Sequence, residues 1–420
     1  MSSPKQAAKT RGMSDLTVYG FHGMNNLDRV LGKVIDENRI LTPRIVLNAD
    51  PLDGGVLLQR RGYVPTNAIQ NGHSLWGGSV MLCADDTMLY RIEGSTAIPL
   101  YPITSPRTRI NYLEIDGIVY MATPYWTAEY DISNDQMQSW GLPLPGAPEV
   151  VLEDGDLPPG TYSLCYTTVD GNRLSGHGQF IKVRWEQETR GITLANYTSD
   201  VLCWITQPDE NQPALALMDG SKIVGPTPNI LPTHGVTPPP GLTHFVQAFG
   251  RVWGACGKKV YYSFPYQPEW FNPGWYLPFP ENIVLIGPSN DGLFVNSLKS
   301  TWWVEGREPS KMKVTRIGEG AIPGTLTMAQ AEGGGYEISR KLSEVPSPAW
   351  VNRLGVVVGT ATGHLVRVTE ARLKMPLRSQ GASIFWHRDG YPQIISSLTG
   401  SVQNADAEIL RIFREGKLFE

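Results

Sequence analysis

Residues 246–306 contain one short hairpin design twice, and this duplication restricts the possible folds more than any other feature of the chain. In the first copy a turn at Phe249-Gly250 leads into a strand-like run at 252–255. A polar turn at 256–259 and a second run at 260–264 follow. In the second copy Asp291-Gly292 leads into 293–296, a turn at 298–300 and a run at 301–305. Apolar and polar residues that alternate between turn formers predict strands. The design recurs at Gly78 with a turn at Asp85-Asp86, at Gly117 running to Ile132, and at Gly355 running through Val366. A weaker copy spans 382–395 and turns at Asp389-Gly390.

Spacing turns the hairpins into a repeat. Gly78 and Gly117 stand 39 positions apart and Gly250 and Gly292 stand 42 apart, which is the length of a four-stranded propeller blade. The interval from Gly117 to Gly250 is one such unit plus about ninety residues. The interval from Gly292 to Gly355 is one unit plus about twenty, and its surplus, with Gly333-Gly334-Gly335, is expected to be a long loop.

The ninety-residue surplus reads as a domain of its own. Proline-rich segments at 142–146 and 226–240 bracket it. Between them, strand-like runs at 160–170, 180–185, 191–194, 201–205 and 214–218 suit a small sandwich of the immunoglobulin or fibronectin kind. Tyr162, Leu164 and Tyr166 mark its buried face. The fold expected is therefore all-β, a β-propeller of about five to six blades interrupted by a small β-sandwich. Its parts are an N-terminal arm at 1–40, a first propeller part at 41–145 that includes a hairpin over 44–61, and the insertion at 146–240. A second propeller part at 241–400 and a tail at 401–420 complete it. In the tail, Ile409, Leu410, Ile412 and Phe413 form an apolar stripe before Gly416, so a short C-terminal helix is expected.

Composition narrows the partners. With 36 basic and 40 acidic residues the formal charge is −4, unlike the basic domains that coat nucleic acid. Gly 44 and Pro 33, with 12 Trp and 17 Tyr, fit a turn-rich β protein. Cys83, Cys165, Cys203 and Cys256 lie far apart with no CxxC, and are expected as reduced thiols; a Cys165–Cys203 bridge is the alternative. No run of 18 apolar residues occurs, so no membrane-spanning segment is expected. The first twelve residues lack an apolar core and do not read as a secretory signal.

Catalytic chemistry finds little footing. The nucleophile elbow, the phosphate-binding loop and the paired-histidine zinc motif are all missing from the sequence. Ser175 and His177 are neighbours in a Gly-rich segment, expected as a polar loop. Asp85-Asp86 and the acidic run 153–156 are expected to serve turns. Residues 289–292 with Thr301-Trp302 match a sialidase Asp-box only in part and do not repeat. Arg60-Arg61, Lys258-Lys259, Arg372 and Lys374 are expected as solvated turns, with a weak phosphate-facing surface as the sharper reading. Trp270, Trp275, Trp302 and Trp303 are expected to pack between blades; a sugar platform is the alternative. No catalytic, cofactor-binding or metal-binding residue is assigned, and the chain is not expected to be an enzyme.

Several phrases together resemble the tail hub or nozzle proteins of short-tailed bacteriophages. They are the arm at 20–26 (GFHGMNN), then 48–50 (NAD) followed by 58–63 (LQRRGY), and above all three stretches beyond residue 248: 249–254 (FGRVWG), 260–271 (VYYSFPYQPEWF), and 292–295 with 302–306. The resemblance covers about 20–140 and 240–370 of the numbering. It implies β-propeller subunits with an inserted β domain and no catalysis. It also implies a homo-oligomeric ring, commonly a hexamer, attached to tail adaptor proteins. Such a ring closes the tail channel of the virion and passes double-stranded DNA during ejection, after assembly in the host cytoplasm. A glycan-binding or glycoside-processing propeller and a propeller interaction scaffold are the competing classes.

Overall fold

The fold is described from a computed structural model. It covers residues 69–105, 107–329, 346–369, 378–388 and 391–399, together with strand segments at 20–21, 32–35, 40–43, 49–51 and 57–59. Among the described residues every regular element is a strand except one short 3-10 turn, Pro309–Lys311. The tail at 401–420, with its expected helix, lies outside the described residues, as do Arg60-Arg61, Gly333-Gly334-Gly335, Arg372 and Lys374.

Five antiparallel four-stranded sheets follow one another, each a simple up-and-down meander. Sheet I is His73–Gly77, Met81–Ala84, Met88–Glu93 and Thr96–Pro102. Sheet II is Asn111–Ile115, Ile118–Ala122, Thr127–Asp131 and Gln136–Gln138. Sheet III is His244–Ala248, Arg251–Cys256, Lys259–Phe264 and Gln267–Pro278. Sheet IV is Ile283–Ser289, Gly292–Ser297, Ser300–Glu305 and Lys313–Glu319. Sheet V is Thr327–Ala329, Ser347–Asn352, Gly355–Gly359 and Leu365–Arg367. A two-stranded sheet VI, Gln380–Arg388 with Tyr391–Thr399, ends the series. A second two-stranded pair, Ala49–Pro51 with Leu57–Gln59, precedes it in the chain.

The hairpins legible in the sequence are the middle strands of sheets I to IV. In sheet V the Gly355 hairpin is instead the third and fourth strands, which contributes to the longer interval before it. Two-residue turns join first to second strands where both positions need positive φ. Asp116 and Gly117 (φ 50 and 81) connect paired Ile115 and Ile118, and Phe249 and Gly250 (φ 54 and 69) connect paired Ala248 and Arg251. Such turns match the natural twist of a hairpin.

Consecutive sheets stack face to face. In sheet IV, Leu293, Val295, Trp302 and Val304 join a core shared with sheet III, while Phe294 and Trp303 join one shared with sheet V. In sheet II, Val119, Met121 and Tyr130 face sheet I, while Tyr120 and Ala122 face sheet III. Ala329, Ala349 and Val358 of sheet V pack against Phe385 and Ile394 of sheet VI. Strands covered on both faces bury consecutive residues, not only alternate ones; all six residues of Gly292–Ser297 are buried.

The first strands converge. Asn111–Ile115 lies beside His244–Ala248, which lies beside Ile283–Ser289, and Thr327–Ala329 lies beside Gln380–Arg388. Arg109, just before sheet II, donates from Nη1 to the Gly381 carbonyl at 2.6 Å and from Nη2 to the Gly324 carbonyl at 3.3 Å.

Between sheets II and III the chain builds a separate unit with its own core, including Tyr162, Leu164, Trp185, Ile192 and Ile205. Where five strands in a small sandwich are expected, eight strands form one hydrogen-bonded sheet: seven follow one path from Val150–Leu157 to Arg173–His177, and Ile181–Trp185 pairs Gly160–Asp170 off that path. The short runs around 150 and 222 escape the sequence pattern because charged and proline residues break their alternation. In-register pairing sets Tyr166 opposite Cys203 and Cys165 opposite Trp204. Tyr166 and Cys203 enter one core, Cys165 and Trp204 another, so the two thiols face opposite sides of the sheet and are free.

Candidate functional site

The junction between the inserted sheet and the stack concentrates the unusual chemistry of the described residues. Glu129, at the centre of the strand Thr127–Asp131, has a side chain with no solvent exposure. Alternation explains its position: Ala128 and Tyr130 face sheet I, so Glu129 must face sheet III. A buried carboxyl needs partners. Arg173, on the inserted strand Arg173–His177, supplies one through Nη2 at 2.8 Å, and Gln138 donates to Oε1 at 2.8 Å. The same Nη2 lies 2.9 Å from Oε2 of Glu269 in sheet III, and Arg173 Nε lies 3.1 Å from that oxygen. Nη2 also reaches the Ser139 carbonyl at 3.2 Å. One guanidinium from the insertion thus joins carboxyls from two adjacent sheets.

Oε2 of Glu129 is buried without a hydrogen-bond partner. Burial first, and then the Glu269 charge, raise the Glu129 pKa to about 8, against the lowering effects of Arg173 and Gln138.

Apolar contacts surround the bridge. Trp140, in the segment entering the insertion, is fully buried. It packs on Tyr120 and Phe245 at 5.0 Å between centroids and edge-on to Phe271 at 6.1 Å. Its Nε1 donates to the Pro268 carbonyl at 2.9 Å. Burying one large aromatic is worth about 3 kcal/mol, so the entry segment is pinned before the insertion begins. The exit segment is pinned by reciprocal backbone hydrogen bonds between Thr237 and Phe271. Gly176 approaches the Val236 carbonyl so closely that an added Cβ would stand 1.7 Å from its oxygen, and at Gly178 a Cβ would stand 2.4 Å from the Pro145 oxygen.

A second cluster sits where the first strands converge. His244 accepts the Ile286 N–H on Nδ1 at 3.1 Å. Burial, and then the Arg109 charge, lower its pKa to about 3, so the ring is neutral. Solvent still reaches Arg109, although burial by the surrounding protein lowers its pKa. Asn111 Nδ2 donates to the Thr243 carbonyl at 2.7 Å.

The residues singled out in the sequence take structural positions. Ser175 Oγ donates to the Gly176 carbonyl and accepts the Thr168 N–H, both at 2.7 Å. His177 contacts the Gly178 carbonyl and stacks on His234 at 4.9 Å, so Ser175 and His177 are not paired. Asp85 closes its turn by accepting from Thr87, Met88 and Tyr90. Among the described residues no group of three acidic, His or Cys side chains is placed to hold a metal ion. Trp302 and Trp303 are buried between sheets. Trp275 stacks on Phe264 at 4.4 Å, and Phe264 meets Trp270 edge-on. Lys259 Nζ lies 4.0 Å over the Tyr276 ring. Arg109, Arg173 and Glu269 carry no sequence signal, and Glu129 stands out only as a charge between Ala128 and Tyr130 in a strand-like run.

No family model and no curated protein matches this chain. Several solved structures share a distant likeness. The extracellular domain of BT4673 from B. thetaiotaomicron has 11% identity and a TM-score of 0.30, over 79% of this chain and 39% of that one. BBS1N in complex with ARL6DN has 10% identity and a TM-score of 0.25, over 69% and 75%. PorZ of Porphyromonas gingivalis has 12% identity and a TM-score of 0.26, over 71% and 31%. This chain therefore spans well under half of BT4673 and PorZ, and likenesses at these scores carry no argument about function.

Proposed function

We propose that this protein is a structural virion subunit, a hub or nozzle at the end of a short phage tail. In this reading the six stacked sheets close into a β-propeller, with the hairpin Ala49–Pro51 and Leu57–Gln59 completing sheet VI. Copies assemble into a homo-oligomeric ring, commonly sixfold, that binds tail adaptor proteins and passes double-stranded DNA. The observation that carries it is the fixed junction: Trp140 and the Glu129–Arg173–Glu269 bridge weld the insertion to the stack. Docked in this way, the insertion and the stack can both present surfaces to neighbouring copies in a closed ring. The phrases at 249–254 and 260–271 that resemble the nozzle family fall in sheet III, which forms one side of that junction.

A glycan platform has less support. Exposed Tyr125 lies between the second and third strands of sheet II, and exposed Tyr266 between the third and fourth of sheet III. Those turns fall at opposite ends of a meander, so the two rings do not share one surface.

Purified protein, alone and mixed with the tail adaptor encoded in the same genome, is to be examined by sedimentation velocity and electron microscopy. Closed rings of several copies support the reading. A monomer under both conditions overturns it.

A further inference from the structure

We propose that the Glu129–Arg173–Glu269 bridge is a proton-operated latch, which holds the inserted sheet against the stack while Glu129 is neutral and loosens it once Glu129 is charged. The three side chains come from sheet II, sheet III and the insertion, so their joint charge acts where the insertion docks on the two sheets. Glu129 has zero exposure, while Arg173 and Glu269 keep 19% and 22% of theirs. One arginine compensates one carboxylate. With Glu269 ionised and Glu129 protonated the cluster is neutral. With both ionised it holds an excess negative charge, and the orphaned Oε2 carries part of it away from water. Burying an unpaired charge costs far more than burying a neutral carboxyl.

The groups facing Glu129 set the direction. Arg173 favours its charged form, while Glu269 and Asp131 favour the neutral one. Tyr120, its cross-strand partner, has a pKa raised by burial, so it stays neutral and adds no negative charge. A carboxyl whose folded pKa is raised gives its full contribution below its ordinary value. The contribution is lost as pH rises from there through the folded pKa, here from about 4.5 to about 8. Deprotonation releases one proton to solvent and changes no covalent bond between heavy atoms. The latch does not depend on the ring reading, because it concerns docking within one chain.

The test is hydrogen–deuterium exchange of the intact protein between pH 6 and 9, corrected for intrinsic exchange, with wild type and Glu129→Gln compared. Glutamine keeps the shape and neutrality of the protonated acid. Wild type is expected to lose protection at 173–177 and at the flanking segments 139–146 and 231–243 by about tenfold, while the core strand 201–206 stays protected. Glu129→Gln is expected to remain protected at both pH values. An unchanged wild type, or a variant with the same pH dependence, overturns the latch. Infrared titration of wild type covers the case of a variant that does not fold: a protonated-carboxyl band that shifts in frequency in E129D and is lost between pH 6 and 9 supports the latch, and its absence at pH 6 overturns it.

Discussion

Arg109 Nη1 donates to the Gly381 carbonyl at 2.6 Å across 272 positions of sequence, tying the start of sheet II to the first strand of sheet VI. With the Gly324 carbonyl also bound, one side chain joins the start of sheet II to sheet VI and to the turn that precedes sheet V. Hydrogen bonds from a charged donor contribute about 1.5–3 kcal/mol when shielded, and solvent access to Arg109 places the sum near the low end. Arg109→Ala is expected to lower stability by about 1–2 kcal/mol, read by urea unfolding. Arg109→Lys is expected to recover little, because one ammonium lacks the fork that reaches two carbonyls.

Trp140 is the apolar counterpart. Trp140→Ala removes a fully buried indole and leaves the Pro268 carbonyl without its donor. A loss of about 3–5 kcal/mol is expected, measured by chemical denaturation. Trp140→Phe keeps most of the packing and is expected to cost less than half as much.

Gly176 tests the junction from the side of the insertion. Gly176→Ala places a methyl against the Val236 carbonyl, and backbone on both sides leaves no room to yield. Faster limited proteolysis at 139–146 and 231–243 is expected, while the inserted core around Leu164 and Ile205 stays resistant. An unchanged cleavage pattern would show that the contact is dispensable.

The thiols should separate by burial. Cys83, Cys165 and Cys203 are buried, whereas Cys256 is partly exposed. Burial pushes the Cys203 pKa to about 12 and raises that of Cys165, which withholds the reactive thiolate. An aromatic disulfide reagent at pH 8 is expected to titrate one thiol quickly and the other three only after denaturant is added.

Acid should act through His244. Its folded pKa lies well below the ordinary value of 6.5, so its contribution is present above pH 6.5 and is lost as pH falls toward about 3. Unfolding free energy is expected to decline over that interval. His244→Asn can still accept the Ile286 N–H through its amide oxygen, cannot be protonated, and is expected to flatten part of the decline.

Much of the stack is legible in the sequence because the middle strands of sheets I to IV carry regular alternation and glycine turns. The outer strands are less so. Gln267–Pro278 contains Pro268, Pro273 and Pro278, which argue against a strand. It forms because it lies at the edge of sheet III, where register shifts against 261–264 absorb the irregularity. The pairing within the inserted sheet is not legible, since that between Val150–Leu157 and Arg190–Leu194 joins segments with little alternation. The junction residues are hidden for another reason: Arg173 in a polar turn and Glu269 among prolines look like ordinary solvated charges.

The sequence alone determined that this chain makes β-meanders, because period-two alternation and turn chemistry act over a few neighbouring residues. Only the tertiary structure decided which faces meet, that Arg109 reaches Gly381, and that Glu129 and Glu269 share Arg173. Those relations join residues tens to hundreds of positions apart. Their energies come from water excluded and charges brought together on docking, quantities that no local pattern encodes.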